Sequence, residues 1–167
     1  IIILPMAVGA FEGSPELFIC NAHTLSSLSL DWIQAVRESG RFSSYSWPEK
    51  RIIPLTTLDK LIYQYGLASF IKIGVESFEL EVLKGLSFPV PKVCFEFTPE
   101  FMEPTLKYIE HLQSIGDIRV NYSIGETACL VLERWVSPFE MIDIFKGFKC
   151  DNELFADIYV QFPSALK

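Results

Sequence analysis

Two carboxylates stand where chemistry could be done. Glu76 follows the apolar run Phe70-Ile71-Lys72-Ile73-Gly74-Val75, and Glu96 lies near the end of Val93-Cys94-Phe95-Glu96-Phe97. A charge at the exit of a buried strand is costly unless it has a partner or a task. Brought close together, such a pair would have one pKa raised if both faced one cleft. Each could equally pair with a basic residue or cap a helix N-terminus. Glu79 and Glu81 read instead as first-turn helix carboxylates favoured by the macrodipole. His23 falls in a polar loop, where a base role and a plain loop role are both open. His111 falls on the surface of a helix beside Glu110.

Several other chemistries are excluded. Cys20, Cys94, Cys129 and Cys150 form no C-x-x-C pair, and with only two histidines there is no metal-ligand spacing. Cys94 and Cys129 sit in apolar runs and read as buried, inert thiols, which suits a reducing, cytoplasmic compartment. There is no nucleophile elbow, P-loop or dinucleotide fingerprint, and the nine glycines are dispersed. With 14 basic and 21 acidic residues the net charge is −7, so no surface suits nucleic acid or an anionic membrane. Lys146 and Lys149 are too sparse to form a basic patch. Ile1 to Leu4 is apolar but far too short to span a bilayer and lacks a basic flank.

The elements that must position the two glutamates follow from hydrophobic period and punctuation. Ile1 to Leu4 reads as a buried strand ended by Pro5, with Ala7-Val8-Gly9 as its exit. Glu12-Gly13-Ser14-Pro15 is turn chemistry before a strand over Glu16 to Cys20. Ser29 caps a helix through Glu38, closed by Gly40, and Arg41 to Arg51 reads as an irregular loop carrying Phe42, Tyr45 and Trp47. Thr56-x-x-Asp59 opens a helix whose stripe is Leu58, Leu61, Ile62 and Tyr65, with Gly66 at its C′ position. Strand Phe70 to Val75, helix Phe78 to Lys84 with Gly85, and strand Val93 to Phe97 make a βαβ unit, hence a parallel sheet. Thr98-Pro99-Glu100 is a second helix start, with the regular helix running from Pro104 to Ser114. Ile118 to Ser123 and Ala128 to Leu132 read as an antiparallel hairpin around Ile124-Gly125-Glu126-Thr127. Ser137-Pro138 starts a short helix to Phe145, and Asp157 to Phe162 is a last strand. The 14 phenylalanines predict a ring-rich core, and the lack of linkers predicts one domain over residues 1–167.

In an open α/β sheet, ligands bind beyond the carboxyl ends of the strands. Three such ends are Ala7-Val8-Gly9, Gly74-Val75-Glu76-Ser77 and Glu96-Phe97-Thr98. Period-two alternation puts Lys72, Gly74 and Glu76 on one face of their strand.

Three blocks together, Pro54-Leu55-Thr56-Thr57-Leu58-Asp59, Phe70-Ile71-Lys72-Ile73-Gly74-Val75-Glu76-Ser77-Phe78-Glu79 and Val82-Leu83-Lys84-Gly85, resemble the FkbM methyltransferase family. Its pattern runs T-L-D, then K-I-D-V-E-G-x-E, then v-L-k-G. Ala7-Val8-Gly9 with Gly13, Ser26-Ser27 with Asp31-Trp32, Phe95-Glu96-Phe97, Asn121-Tyr122-Ser123 with Gly125-Glu126, and Trp135 and Asp157 extend the resemblance over nearly the whole chain. It implies a Rossmann-like class I methyltransferase fold: a mostly parallel, doubly wound sheet with a C-terminal antiparallel hairpin. It further implies S-adenosylmethionine as cofactor and a hydroxyl on a small molecule or carbohydrate as acceptor. Glu76 would be the base or acceptor-orienting group, with Glu96 near it. Ala7, Val8, Gly9 and Gly74 would lie on the cofactor side, and Ser77, Tyr122, Glu126 and Trp135 around the acceptor. A non-catalytic binding or interaction domain on the same fold is the other reading.

Two departures stand inside the central block. The family aspartate is Gly74 here, which removes a carboxylate from the strand tip, and the family glycine is Ser77. Ser77 adds a Cβ where the backbone is expected to need an unusual dihedral, unless it serves as a helix cap. The family also opens with a strand and glycine-rich loop for the methionine part of the cofactor and a second strand with an acid for the ribose. Neither precedes Ile1, so the chain is expected to be the C-terminal part of such a domain.

Overall fold

The computed structural model describes residues 1–39, 43–97, 102–125, 127–148 and 155–166. Its elements in chain order are β1 (Ala7–Val8), β2 (Glu16–Ile19), α1 (Leu30–Ser39), β3 (Glu49–Ile52), β4 (Leu55–Thr56), α2 (Leu58–Tyr65), β5 (Ile71–Ile73), α3 (Glu79–Lys84), β6 (Lys92–Phe97), α4 (Met102–Ile115), β7 (Arg119–Ile124), α5 (Pro138–Lys146) and β8 (Ala156–Gln161). They fall into two units, Ile1–Leu61 with Val75–Leu86, and Ile62–Gly74 with Ser87–Lys167. The described residues form a mixed α/β protein whose sheets are small and mixed in direction. No helix among them is long and apolar enough to cross a membrane.

In the first unit β1 pairs parallel with β4, and β2 pairs antiparallel with β3. The expected strand Ile1–Leu4 does not form, and Ile1, Ile2 and Ile3 are exposed. The Met6 amide closes a tight turn on the Leu4 carbonyl at 2.9 Å, and Pro5 has no amide to give, so pairing begins only where Ala7 N–H meets the Pro54 carbonyl at 2.8 Å. The end of the expected loop 41–51 is instead β3, held to β2 by backbone pairing and by Lys50, whose ammonium bonds Glu16 at 3.0 Å and lies 4.8 Å from the Phe18 ring centre. Residues 40–42 of that loop lie outside the described residues. Trp47 is buried, edge-on to Trp32 at 6.0 Å, and its indole N–H donates to the Leu25 carbonyl at 2.8 Å.

Hydroxyl caps set the starts of α1, α2 and α5. Ser29 Oγ accepts from the Trp32 amide at 3.2 Å, as expected for α1. For α2 the cap is one residue later than expected, because Thr56 is spent in β4. Thr57 Oγ1 accepts from the Lys60 amide at 3.2 Å. Gly66 ends α2 at φ +94°, in the left-handed region a C′ glycine supplies.

The second unit is built on a four-stranded sheet of order β5-β6-β8-β7, with β5 parallel to β6 and β8 antiparallel to both of its neighbours. The sheet therefore ends in an antiparallel pair, but with different members from the expected hairpin. Residues 128–132 form no strand. Ala128 adopts φ +52°, which breaks an extended run, and the Asn121 carboxamide holds the segment by donating to the Leu132 carbonyl at 2.9 Å and accepting its amide at 3.2 Å. Pro104 lies in the first turn of α4, where amides lack intrahelical partners, so the helix already starts at Met102. The expected start at Thr98-Pro99-Glu100 lies outside the described residues. At α5 the capping box of Ser137 and Glu140 is complete.

Alternation divides the sheet's faces. Val93, Phe95, Phe97, Val120, Tyr122, Ala156, Ile158 and Val160 are buried on one face. There Phe95 meets Tyr108 of α4 edge-on at 5.4 Å and Phe97 stacks on Phe145 of α5 at 4.7 Å. The opposite face carries Lys72, Cys94, Glu96, Asn121, Ser123, Asp157 and Tyr159, and registry aligns them in rows: Lys72, Cys94, Tyr159 and Asn121 in one, Glu96, Asp157 and Ser123 in the next.

Candidate functional site

Two clusters of polar residues lie at strand ends, one in each unit. In the second unit, Lys72 of β5 reaches across β6 to bond the Asp157 carboxylate of β8, and its ammonium is 4.0 Å from Glu96 Oε1. Burial works against the lysine's charge. The bond to Asp157, with the charges of Asp157 and Glu96, outweighs it and holds the pKa above the ordinary lysine value. Between them Cys94 is buried, and desolvation pushes its thiol up to about 12, so it is a neutral thiol near neutral pH. Tyr159 stacks on Phe70 at 6.4 Å, and its hydroxyl is 3.4 Å from Ser123 Oγ. Gly74 follows β5 directly. Among the described residues, a Cβ built on it would meet only Glu96 Oε1, at 3.5 Å.

In the first unit the segment Val75-Glu76-Ser77 leads into α3. Glu76 and Ser77 adopt φ of +46° and +66°, a left-handed pair without a glycine. Two side chains hold this turn. Buried Ser27 donates through Oγ to the Glu76 carbonyl at 2.9 Å, and Glu79 Oε1 accepts from the Val75 amide at 3.3 Å. The expected alternation through Glu76 therefore stops at Ile73, because left-handed residues cannot continue a pleat. Ser77 is not the cap of α3 either: the N-cap is Phe78, with no side-chain cap bond. Nearby, Gly9 and Gly85 meet backbone to backbone. A Cβ on Gly85 would lie 2.2 Å from the Gly9 carbonyl oxygen, a separation no side chain tolerates.

Of the expected site residues, Ala7, Val8, Gly9, Glu76 and Ser77 belong to the first unit, and Gly74, Glu96, Tyr122 and Trp135 to the second. Gly74 and Glu96 are brought together. Ala7 and Val8 are half-buried, whereas Gly9 is buried, with its amide donating to the Thr56 carbonyl at 2.8 Å. Tyr122 packs in the core, edge-on to Phe148 at 5.5 Å, and burial raises its pKa. Trp135 is half-buried with the Lys92 ammonium 6.0 Å from its ring. Glu126 lies outside the described residues. Cys129, expected to be buried, is exposed beside the irregular segment that replaces the hairpin.

The full roles of three residues escaped the sequence reading. Lys72 was visible as the one charge inside an apolar strand, but its partner Asp157 lies 85 residues on and is set by the strand order. Glu79 is a first-turn carboxylate of α3, as expected, and it is also buried and clamps the turn through the Val75 amide. Among the described residues no group of three or more His, Cys, Asp or Glu could hold a metal ion.

Comparison with protein-family models, with curated proteins and with solved structures found no match to this chain.

Proposed function

We propose that the chain is a domain of an FkbM-type, S-adenosylmethionine-dependent methyltransferase that methylates a hydroxyl on a small molecule or carbohydrate. The observation that carries this reading is a coincidence of backbone demand with pattern. The resemblance calls for glycine at positions 77 and 85. The backbone is left-handed at 77, and at 85 it leaves no room for a Cβ. The four-stranded sheet, parallel at β5–β6 and closed by an antiparallel pair, supports the doubly wound class I fold as the finer description.

Methyl transfer is a displacement at carbon, so the protein's tasks are to align the acceptor and take its proton. S-adenosylmethionine, when bound, supplies the electrophilic methyl group. Ala7 and Val8 fit one part of such a cofactor, the purine face. They offer half-buried apolar surface, while the amides of Ala7 and Gly9 are already engaged by Pro54 and Thr56. In the second unit Glu96 is the group suited to accept a hydroxyl proton, since its side chain is 57% exposed at the strand tip. In the first, the turn at 76–77 fixes the direction of Glu76, the other candidate for base or acceptor contact. The cytoplasm is the compartment that suits the free thiols of Cys20, Cys94 and Cys129.

A second reading, a non-catalytic binding domain on the same fold, is favoured by Gly74 and by the strain kept at Ser77. Calorimetric titration of S-adenosylhomocysteine separates the two. The test is run on this chain and on any form carrying further upstream sequence. Micromolar binding by either supports the methyltransferase. Silence from both as folded proteins, with Gly74→Asp and Ser77→Gly also silent, overturns it.

A further inference from the structure

Among the described residues, the atom nearest to where a Cβ on Gly74 would stand is a carboxylate oxygen from the neighbouring strand, Glu96 Oε1, at 3.5 Å. A carboxyl group one bond beyond that Cβ would crowd the same oxygen. The space that a strand-tip aspartate would use is thus already faced by a carboxylate. We propose that Lys72 and Gly74 are positioning residues that present the Glu96 carboxylate at the tip of β5, so that β6 supplies the acid group that β5 lacks. This rests on the methyltransferase reading for what the carboxylate then does, which is to meet the acceptor hydroxyl.

The geometry assigns each residue a part. Asp157 is the anchor: its side chain is only 21% exposed and it holds the Lys72 ammonium. So fixed, the ammonium is 4.0 Å from Glu96 Oε1, near enough to draw that carboxylate toward β5. Glycine at 74 keeps the space clear. Without Lys72, Glu96 and Asp157, which are register partners on β6 and β8, would be adjacent like charges. Among the described residues, the charged or titratable groups coupled around Glu96 are Lys72 from β5, Asp157 from β8 and Cys94 from its own strand.

A double-mutant cycle on the folded chain tests this without cofactor or acceptor. Gly74→Asp places a second carboxylate against Glu96, and Gly74→Asn places a neutral group of the same shape there. Stability is read by urea unfolding at pH 7. At pH 7 Gly74→Asp is expected to shift the unfolding equilibrium about fivefold further toward the unfolded state than Gly74→Asn. Adding Glu96→Gln is expected to remove that difference. In a Lys72→Met background the difference is expected to grow. A penalty equal for Asp and Asn, or one that Glu96→Gln leaves intact, overturns the placement of Glu96. A penalty indifferent to Lys72→Met overturns the role of the lysine. The outcome is independent of the calorimetric titration, so failure of one leaves the other standing.

Discussion

Ser77→Gly should make the protein more stable. At φ +66° the serine holds a conformation that costs an L-residue about 1–2 kcal/mol, because its Cβ crowds the following carbonyl. Glycine removes that cost but loses about 0.5–1 kcal/mol through the extra freedom of its unfolded chain. The hydroxyl forms no hydrogen bond among the described residues, so nothing else is given up. The balance is a gain of about 0.5–1 kcal/mol, or about 2 °C in Tm for a chain of this size. Urea unfolding with a shared m-value measures it, with Ser77→Ala as control. Alanine keeps the Cβ and should lie within about 0.5 kcal/mol of the parent. The turn is held against its strain by Ser27 and Glu79, so the gain should survive in the folded state instead of being spent on a new turn geometry. A Ser77→Gly variant no more stable than Ser77→Ala would refute the claim that backbone strain resides at this position.

Three further expectations concern two glycines and the start of α5. Gly85→Ala should destabilise by about 2–3 kcal/mol, since its Cβ would lie 2.2 Å from a backbone oxygen that cannot swing aside. Gly66→Ala, at φ +94° with open space around it, should cost only about 1 kcal/mol by the same unfolding assay. At the start of α5, the Arg134 guanidinium, followed by the Ser137 amide, lowers the Glu140 carboxyl from the ordinary 4.5 to about 2. A folded-state pKa below the unfolded one adds stability above pH 4.5 that is lost as pH falls through about 2. The stability difference between the parent and Glu140→Gln, followed in urea from pH 6 downward, should therefore shrink across that window. A difference constant with pH would contradict the pairing.

The sequence made local structure legible wherever a residue acts on its near neighbours. Ser29, Gly66, Ser137 and Gly85 each end or begin a helix where their chemistry says they should, and the run from Ile71 to Phe97 delivers two parallel strands. Illegible were the places where distant partners decide. Ile1 to Leu4 has the composition of a strand, but among the described residues no neighbouring strand pairs with it, and pairing begins only at Ala7, after Pro5 and the turn at Met6. Ala128 to Leu132 has the composition too, yet a single buried side chain, Asn121, captures both backbone groups of Leu132 and replaces the ladder. The candidate site divides in the same way. Glu96 could be named from its strand, but Lys72 and Asp157 become partners only through an order in which β8 returns beside β6.

The two departures from the family pattern do not carry equal weight, and the structure says why. At 85 glycine is enforced by a contact that no side chain survives, while at 77 the penalty for serine is about 1 kcal/mol, an amount a domain of this size can absorb. Serine at 77 is therefore a tolerated strain and says little about whether the site works. Position 74 differs in kind. A Cβ there would meet ordinary contact distance and no backbone, so sterics do not demand glycine. What a side chain would meet is the Glu96 carboxylate, and an aspartate would set two like charges together beside one lysine. Glycine at 74 and glutamate at 96 are then one arrangement, and the cycle that couples them weighs more on function than any measurement at 77.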